Sequence, residues 1–312
     1  MRLLDLLERR LLIVTGKGGV GKTTLTAALA HAFSTEGTRV LCAEITLDEG
    51  APSALGAALG AWVSGDEPVP VSPTLHAVRL LPSTGHHRFL QDTLPLKVLA
   101  DAAMRSQGLK RFLSAAPGFP DMGIMYRMLD LMRRERSPGV PEFELCIVDA
   151  PATGHALALA QIPEFLSRVI PRGPIGRVAR EGVRVLTDPQ QTGCVIVTLP
   201  ETLPVSEAME LARGMEKHRL PVAAMVMNRV PANPFSAEER DAVTALLAGP
   251  TPMLGSREML RIDRAQAAAK LMAQQAKVET MQIPELSAST PAQLIAALAA
   301  RLKSDELMPR VA

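Results

Sequence analysis

The chain has 312 residues and a formal net charge of +2, from 34 basic and 32 acidic side chains. This balance excludes a global electric field that would draw the protein onto nucleic acid or anionic lipid. Hydrophobic residues make up 47% of the chain and charged residues 21%, which excludes wholesale disorder and indicates a packed globular fold.

Strands and helices are predicted to alternate along the chain, starting with a strand, a glycine-rich loop and a helix. The predicted strands are 10–15, 39–45, 145–148, 194–199 and 223–228, and the predicted helices between them include 24–36 and 206–218. Because the strands are nearly continuous apolar runs, we expect them to be buried on both faces of a parallel sheet. The predicted fold class is therefore α/β, a doubly wound and mainly parallel sheet in a single P-loop domain spanning 1–312.

Two stretches interrupt this alternation and are predicted to form an inserted helical or client subdomain. They cover approximately 76–136 and 162–187, and the first is rich in Leu and Met and punctuated by prolines. The second carries five scattered arginines, namely Arg168, Arg172, Arg177, Arg180 and Arg184. Scattered arginines without interleaved aromatic residues are typical of a solvated helical face, so no nucleic-acid partner is predicted.

The cysteines Cys42, Cys146 and Cys194 each lie in an apolar run and are predicted to be buried strand residues. They have neither the spacing of a zinc site nor that of a disulfide framework, which fits a reducing cytoplasm. The N-terminus has no signal-like segment, and no run reaches the roughly 18 apolar residues of a membrane span. A cytoplasmic protein without stable membrane insertion is therefore expected.

The glycine-rich loop matches the phosphate-binding pattern G-x-x-x-x-G-K-S/T between a predicted strand and a predicted helix. Its residues are Gly16, Lys17, Gly18, Gly19, Val20, Gly21, Lys22, Thr23 and Thr24. Glycines let successive backbone N–H groups turn toward phosphate oxygens, Lys22 can neutralise the β- and γ-phosphates, and Thr23 offers a hydroxyl to Mg²⁺. The sequence thus predicts binding of ATP or ADP together with Mg²⁺.

Lys17 adds a second lysine to this loop, which therefore resembles the deviant Walker A class of SIMIBI-like P-loop ATPases. The resemblance implies that Lys17 reaches across a dimer interface to the partner's nucleotide and supplies charge there, as an arginine finger does. The expected partner is a second copy of the chain or a paralogous ATPase.

The segment 147–155 resembles the D-x-A-P-T-G-H switch region of the arsenite-pump and Get-type targeting ATPases. Asp149, at the end of a buried strand, suits a Walker B carboxylate that holds a water on Mg²⁺, so Thr23 and Asp149 are the expected metal-site residues. The other switch residues are Pro151, Thr153, Gly154 and His155. A loop of this composition suits a segment that moves when the γ-phosphate leaves.

Two further positions follow from the same resemblance. Glu201 would lie near the nucleotide across the dimer interface, and Asn228 would bind the adenine edge, since an amide side chain both donates and accepts hydrogen bonds. For Asn228, a turn or cap after a strand is the alternative.

The position that orients the attacking water departs from the family pattern. Where this family carries an aspartate after the second strand, an ungapped alignment gives Thr46, whose hydroxyl cannot take a proton from water at neutral pH. Glu44 and Asp48 are alternative bases. The candidate catalytic residues are therefore Lys17, Lys22, Glu44, Thr46 and Asp48, and slow hydrolysis is predicted.

Methionines concentrate in the first helical stretch, at Met104, Met122, Met125, Met128 and Met132. Two interpretations are open: a groove for a hydrophobic segment of a client protein, or the core face of an amphipathic helix.

The residues and the resemblance together imply a dimeric MgATP-binding ATPase that couples nucleotide to a conformational switch acting on a protein or hydrophobic client. The alternative, motivated by Thr46, is a hydrolysis-impaired nucleotide-binding subunit or scaffold paired with a paralogue. A ParA- or MinD-like positioning ATPase is the third hypothesis. It is disfavoured because it would predict DNA binding or a C-terminal membrane helix.

Overall fold

A computed structural model describes residues 4, 7–93, 108, 118–151, 154–169, 172–247 and 254–304 of the chain. The strands are β1 (Leu11–Gly16), β2 (Val40–Ile45), β3 (Val69–Pro70), β4 (Leu75–Leu80), β5 (Glu135–Ser137), β6 (Val140–Pro141), β7 (Leu145–Asp149), β8 (Thr192–Thr198), β9 (Val222–Val230) and β10 (Glu279–Pro284). The helices are α1 (Lys22–Thr35), α2 (Ala54–Leu59), α3 (Pro82–Thr93), α4 (Phe119–Arg133), α5 (Gly154–Val169), α6 (Gly173–Thr187), α7 (Thr202–Lys217), α8 (Ala237–Leu247), α9 (Leu254–Gln275) and α10 (Pro291–Lys303).

Eight strands form one sheet in the order β10-β9-β8-β1-β7-β2-β4-β3. Every neighbouring pair is parallel except β3 and β4, which are antiparallel. β1 lies between β7 and β8, and Val14 of β1 is in register with Asp149 of β7. The predicted α/β fold with a mainly parallel sheet is confirmed.

The sheet separates two hydrophobic cores. Leu11 and Ile13 of β1 pack into one core, whereas Leu12 and Val14 pack into the other, as expected for side chains that alternate along a strand buried on both faces. Helices α1 and α10 cover the second core, and α4 to α7 and α9 cover the first. Among the described helices, none is both long enough and apolar enough to cross a bilayer.

The helical stretch predicted from about His76 begins later than expected. His76 lies in β4, which pairs with β2 in the main sheet, and the first helix after it begins at Pro82. Polar residues at His76 and Arg79 interrupt the apolar run of this strand, so its pattern lacked the continuous hydrophobicity of the other parallel strands. The short strands β3, β10 and helix α2 were not predicted either.

The methionines of α4 lie inside the protein. Met125 and Met128 are 0% and 1% exposed, Met122 is also buried, and Met132 packs against the same core. The interpretation as the core face of an amphipathic helix is therefore right for these residues, and the groove interpretation is wrong for them. Met104 lies outside the described residues.

Helices α3 and α4 cross very closely at two glycines. A Cβ atom at Gly85 would lie 1.8 Å from the carbonyl oxygen of Gly123, so neither helix can carry a side chain at this crossing. His86, one residue along, is buried, and its Nε2 lies 2.7 Å from the carbonyl oxygen of Phe119. The two helices are thus joined by both close backbone contact and a side-chain hydrogen bond.

Candidate nucleotide site

The glycine-rich loop follows β1 at the edge of the sheet where the parallel strands end, and α1 begins inside it at Lys22. Gly16 and Gly21 have φ angles of 148° and 92°. A Cβ would lie 2.2 Å from the Val197 carbonyl oxygen at Gly16 and 2.4 Å from Asn228 Nδ2 at Gly21, so only glycine fits. Gly18 and Gly19 instead face open space. The loop is therefore closed toward the protein and open toward a ligand.

Thr23 and Asp149 meet at the start of α1. Thr23 Oγ1 donates a hydrogen bond of 2.6 Å to Asp149 Oδ2, whereas Asp149 Oδ1 is buried and has no hydrogen-bond partner within the described part of the chain. Burial raises the pKa of Asp149 to about 6, the nearby Glu44 adds to the rise, and the Thr23 hydroxyl and Lys22 oppose it. A hydroxyl beside a carboxylate with a free, desolvated oxygen is a donor set that suits Mg²⁺ or its bound water.

The two lysines of the loop have different environments. Lys22 Nζ donates to the carbonyl oxygen of Lys17 at 2.9 Å, and burial lowers the pKa of Lys22 against the opposing effect of Asp149. Lys17 is half-exposed and pairs with Glu207 of α7, with Nζ 2.5 Å from Oε1. The second oxygen of Glu207 is buried without a partner. The Lys22 ammonium is thus bonded to the loop itself, whereas the Lys17 ammonium is bonded to an acid that lies 190 residues away in the sequence.

The candidate bases all have other contacts. Thr46 Oγ1 donates to the carbonyl oxygen of Asp48 at 3.0 Å, and Asp48 Oδ1 accepts from the backbone N–H of Gly50 at 3.0 Å. Glu44 accepts from the Ser53 hydroxyl and from the backbone N–H of Ala54 at 3.0 Å, at the start of α2. Glu44 therefore binds a helix N-terminus, and Thr46 and Asp48 stabilise their own turn.

Arg79 is a site residue that the sequence analysis missed. It lies on β4, is only 4% exposed, and donates to the carbonyl oxygens of Asp48 at 3.1 Å and Glu49 at 3.3 Å. Glu49 Oε1 in turn accepts from the backbone N–H of Ser83 in α3, at 3.2 Å. Arg79 thus links the loop after β2 to the first helix of the helical part. The one available signal was a charged residue inside an apolar run.

Asn228 supports the glycine-rich loop from the end of β9. Its Nδ2 donates to the Val20 carbonyl oxygen at 2.9 Å, and its Oδ1 accepts from the Arg229 backbone N–H at 3.0 Å. Asn228 and Thr24 also line a small cleft of about 90 Å³ beside the loop. Glu201 is exposed at the start of α7, where its side chain does not cap the helix.

The predicted switch residues are described only in part. Asp149 ends β7, Pro151 is partly buried, and Gly154 begins α5. Thr153 lies outside the described residues, as does the side chain of His155. Of the predicted switch and metal-site residues whose side chains are described, Thr23 and Asp149 are the pair in contact.

The cysteines do not form a metal site. All three are free and buried in strands, as predicted, and burial raises the pKa values of Cys146 and Cys194 to about 12. Thiols of this kind stay protonated at neutral pH, whereas metal binding needs thiolates. Within the described ranges, no three His, Cys, Asp or Glu side chains cluster in a way that would hold a metal ion.

Comparison with known proteins gives a consistent result. Residues 9–174 match the family model of the anion-transporting ATPases. The ATPase BagA of Mycobacterium tuberculosis is 30% identical over 72% of this chain and 66% of its own length, which is just under two thirds of that relative. The ATPase GET3C of Arabidopsis thaliana is 23% identical over 72% of the chain and 67% of its own, and the arsenical pump-driving ATPase of Escherichia coli is 28% identical over 67% and 33%.

Proposed function

Because the chain belongs to the anion-transporting ATPase family, we propose that it binds MgATP at the loop 16–24 and changes conformation as nucleotide is bound and released. One observation carries this proposal: Thr23 donates to Asp149, while the second oxygen of Asp149 is buried and receives no hydrogen bond from any described residue. A buried, unpaired carboxylate oxygen is costly in a resting protein, and a bound cation or its water would relieve the cost.

The residues of the loop would divide the work. The open backbone at Gly18 and Gly19 would surround phosphate oxygens, and Lys22 would leave the Lys17 carbonyl to neutralise their charge. Thr23 and Asp149 would hold Mg²⁺, which supplies charge stabilisation at the phosphates. Asn228 would hold the loop in place through its hydrogen bond to the Val20 carbonyl oxygen.

Binding of ATP with and without Mg²⁺, measured calorimetrically, tests this step. Lys22→Ala and Thr23→Ala are both expected to weaken ATP binding strongly. Only Thr23→Ala should reduce the gain in ATP affinity on adding Mg²⁺ more than it reduces the affinity for ATP itself. Lys270→Ala, an exposed lysine on α9, is the matched control. Wild-type affinity in Lys22→Ala would refute the proposed site.

We also propose that two chains form the working unit, as a homodimer or with a paralogue. The support is the second lysine of the loop, which has a long side chain, is half-exposed and is held only by Glu207. Sedimentation with ADP, ATP and a non-hydrolysable analogue is the test. A dimer that requires triphosphate and is lost in Lys17→Ala is expected, and a monomer under all conditions would contradict the proposal.

Hydrolysis is proposed to be slow, and a hydrolysis-impaired subunit is the second candidate function. The contacts of Glu44 with α2 favour this candidate, because both of its carboxylate oxygens already accept hydrogen bonds, whereas exposed Asp48 accepts one from its own turn. Turnover of the chain alone and mixed with a paralogue distinguishes the two. Rapid ATP turnover by the chain alone, at a rate ordinary for enzymes, would exclude the hypothesis of a hydrolysis-impaired subunit.

We propose further that a hydrophobic client would bind to the exposed side of the helical part and not to the methionines of α4. Phe165 and Val169 of α5 lie one turn apart and are 59% and 60% exposed. Capture of an apolar helical peptide by the nucleotide-bound protein, lost in a Phe165→Asp and Val169→Asp double variant, would support this use. Leu246→Asp is the control, since Leu246 is 75% exposed elsewhere. Equal capture by the double variant would refute it.

A further inference from the structure

A cleft of about 630 Å³ lies at the amino ends of the parallel strands, opposite to the strand ends that carry the nucleotide site. Its walls come from the carboxyl-terminal turns of α7, the end of α9 and the segments that lead into β8, β9 and β10. Because these strands are parallel to β1, their amino ends lie at the edge away from the glycine-rich loop. The cleft is therefore separate from the proposed MgATP site.

The inside of this cleft is apolar. Its accessible apolar lining includes Ala212, Val222, Ala276 and Val278, which are partly exposed and lie above the buried side chains of Met209, Leu220 and Met225. The volume falls within the roughly 300–1,000 Å³ of pockets that bind small molecules, and such pockets are mostly apolar with a few polar groups at fixed points. The two methionines have flexible, polarisable side chains that adapt to an aliphatic ligand. The interior thus suits an unbranched hydrocarbon chain.

The rim of the cleft is positively charged. Arg213, Arg219 and Lys277 lie around it together with one carboxylate, Glu216, which holds Lys277 with Oε1 and Oε2 at 3.0 and 3.1 Å. Neither arginine forms an ion pair within the described part of the chain. Two guanidinium groups at the edge of an apolar cavity are therefore left to bind an anion, and guanidinium is well suited to carboxylate and phosphate oxygens.

Arg219 occupies a backbone position that normally favours glycine. It follows the end of α7 with a φ of 57°, its N–H donates to the Glu216 carbonyl, and the next N–H, that of Leu220, donates to Met215. This is a helix-ending turn in which the left-handed residue is usually glycine, because a side chain there strains the backbone. A side chain kept in a strained conformation at the rim of a cavity indicates that the side chain itself is used.

We propose that this cleft binds a small amphipathic anion, with its aliphatic chain against Ala212, Val222 and Val278 and its anionic head on Arg213 and Arg219. Basic side chains near helix carboxyl ends also complement the helix dipole without any ligand. That role accounts for the positive charge but not for the apolar cavity behind it. Nor does it account for the strained backbone of Arg219, since other basic positions in the last turn are unstrained.

The experiment is calorimetric titration of the full chain with decanoate, decyl phosphate and uncharged decyl maltoside, all below their micelle concentrations. Decanoate or decyl phosphate should bind and decyl maltoside should not, and the stronger of the two anions identifies the head group as carboxylate or phosphate. Arg219→Gly should weaken binding of that anion roughly tenfold, the loss expected for one charge-assisted contact. Ala212→Phe should abolish it by filling the cavity.

Arg219→Gly also separates binding from folding. Because glycine relieves the strained backbone, the variant should unfold at a temperature higher by roughly 2 °C while binding the anion less well. Arg257→Gln, an exposed arginine on α9, is the matched control and should bind as wild type. The proposal is overturned if no anion binds, if decyl maltoside binds as well as the anions, or if Arg219→Gly leaves their affinity unchanged.

Discussion

Replacing Asp149 with asparagine removes a charge that the folded chain holds in an unfavourable place. Burial raises the pKa of Asp149 from 3.8 to about 6, with Glu44 adding to the rise and the Thr23 hydroxyl and Lys22 opposing it. Since the folded-state pKa lies above the unfolded one, the unfolded chain releases this proton first as the pH rises. The resulting loss of stability begins near pH 3.8 and is complete above about pH 6.

The magnitude follows from the size of the shift. At 1.36 kcal/mol per pKa unit, ionised Asp149 lowers the free energy of unfolding by about 3 kcal/mol near pH 7.5. Near pH 5 the carboxyl is mostly protonated in the folded chain, and the loss falls to about 1.5 kcal/mol. Asp149→Asn keeps an oxygen that can accept from Thr23 and removes the charge. We therefore expect the variant to be more stable than wild type, by about twice as much at the higher pH.

Urea unfolding in EDTA without nucleotide, at both pH values, is the measurement. Asp188→Asn is the control, because backbone and side-chain hydrogen bonds from Gln190 and Gln191 lower the pKa of the partly exposed Asp188, so loss of this charge should not stabilise the chain. A gain in Asp149→Asn that is the same at both pH values would refute the electrostatic reasoning. The same variant should lose the Mg²⁺-dependent part of its ATP affinity, so the charge that destabilises the fold is the one that the proposed metal site needs.

Three further substitutions test individual contacts. Asn228→Ala should lower the free energy of unfolding in urea by about 1–3 kcal/mol, because the buried Val20 carbonyl loses its donor. Weaker nucleotide binding at unchanged stability would instead indicate direct contact with the ligand. Glu207→Gln should change the free energy of unfolding by less than about 1 kcal/mol, as for other exposed ion pairs. Because it releases Lys17, it should also strengthen the ATP-dependent dimerisation measured by sedimentation. Weaker dimerisation would show that Glu207 supports Lys17. Arg79→Met should lower the free energy of unfolding by about 2 kcal/mol and speed amide hydrogen exchange in residues 46–50, because two carbonyls lose their donor. Unchanged exchange would exclude a role of Arg79 in holding that loop.

The parts that sequence predicted well depend on short stretches of chain. The loop 16–24 and the strand that ends at Asp149 carry their own signals, and both were found in the expected places. The contacts of the loop with distant parts of the chain could not be predicted in this way, since Lys17 meets Glu207 and Val20 meets Asn228 across 190 and 208 residues. No local pattern encodes such pairs.

One question that the sequence left open and one error have a physical cause in periodicity. The spacing of Met125, Met128 and Met132 is the same whether a helix faces a core or a ligand groove, so the pattern could not distinguish them. β4 was missed because His76 and Arg79 break its apolar run, although Arg79 is buried through hydrogen bonds to the loop after β2. A buried guanidinium whose two terminal nitrogens donate to backbone carbonyls cannot be recognised without the fold.

The order of strands also determines how this protein can assemble as it is made. β1 and β2 are not neighbours; each pairs with β7, which lies about a hundred residues further along the chain. A ribosome therefore releases two apolar strands of six residues well before the strand that joins them exists. Until then only the outer edge of β2 can pair, with β4. Such non-local pairing is slow and exposes surfaces that aggregate. We expect the nascent chain to depend on chaperones until β7 has emerged.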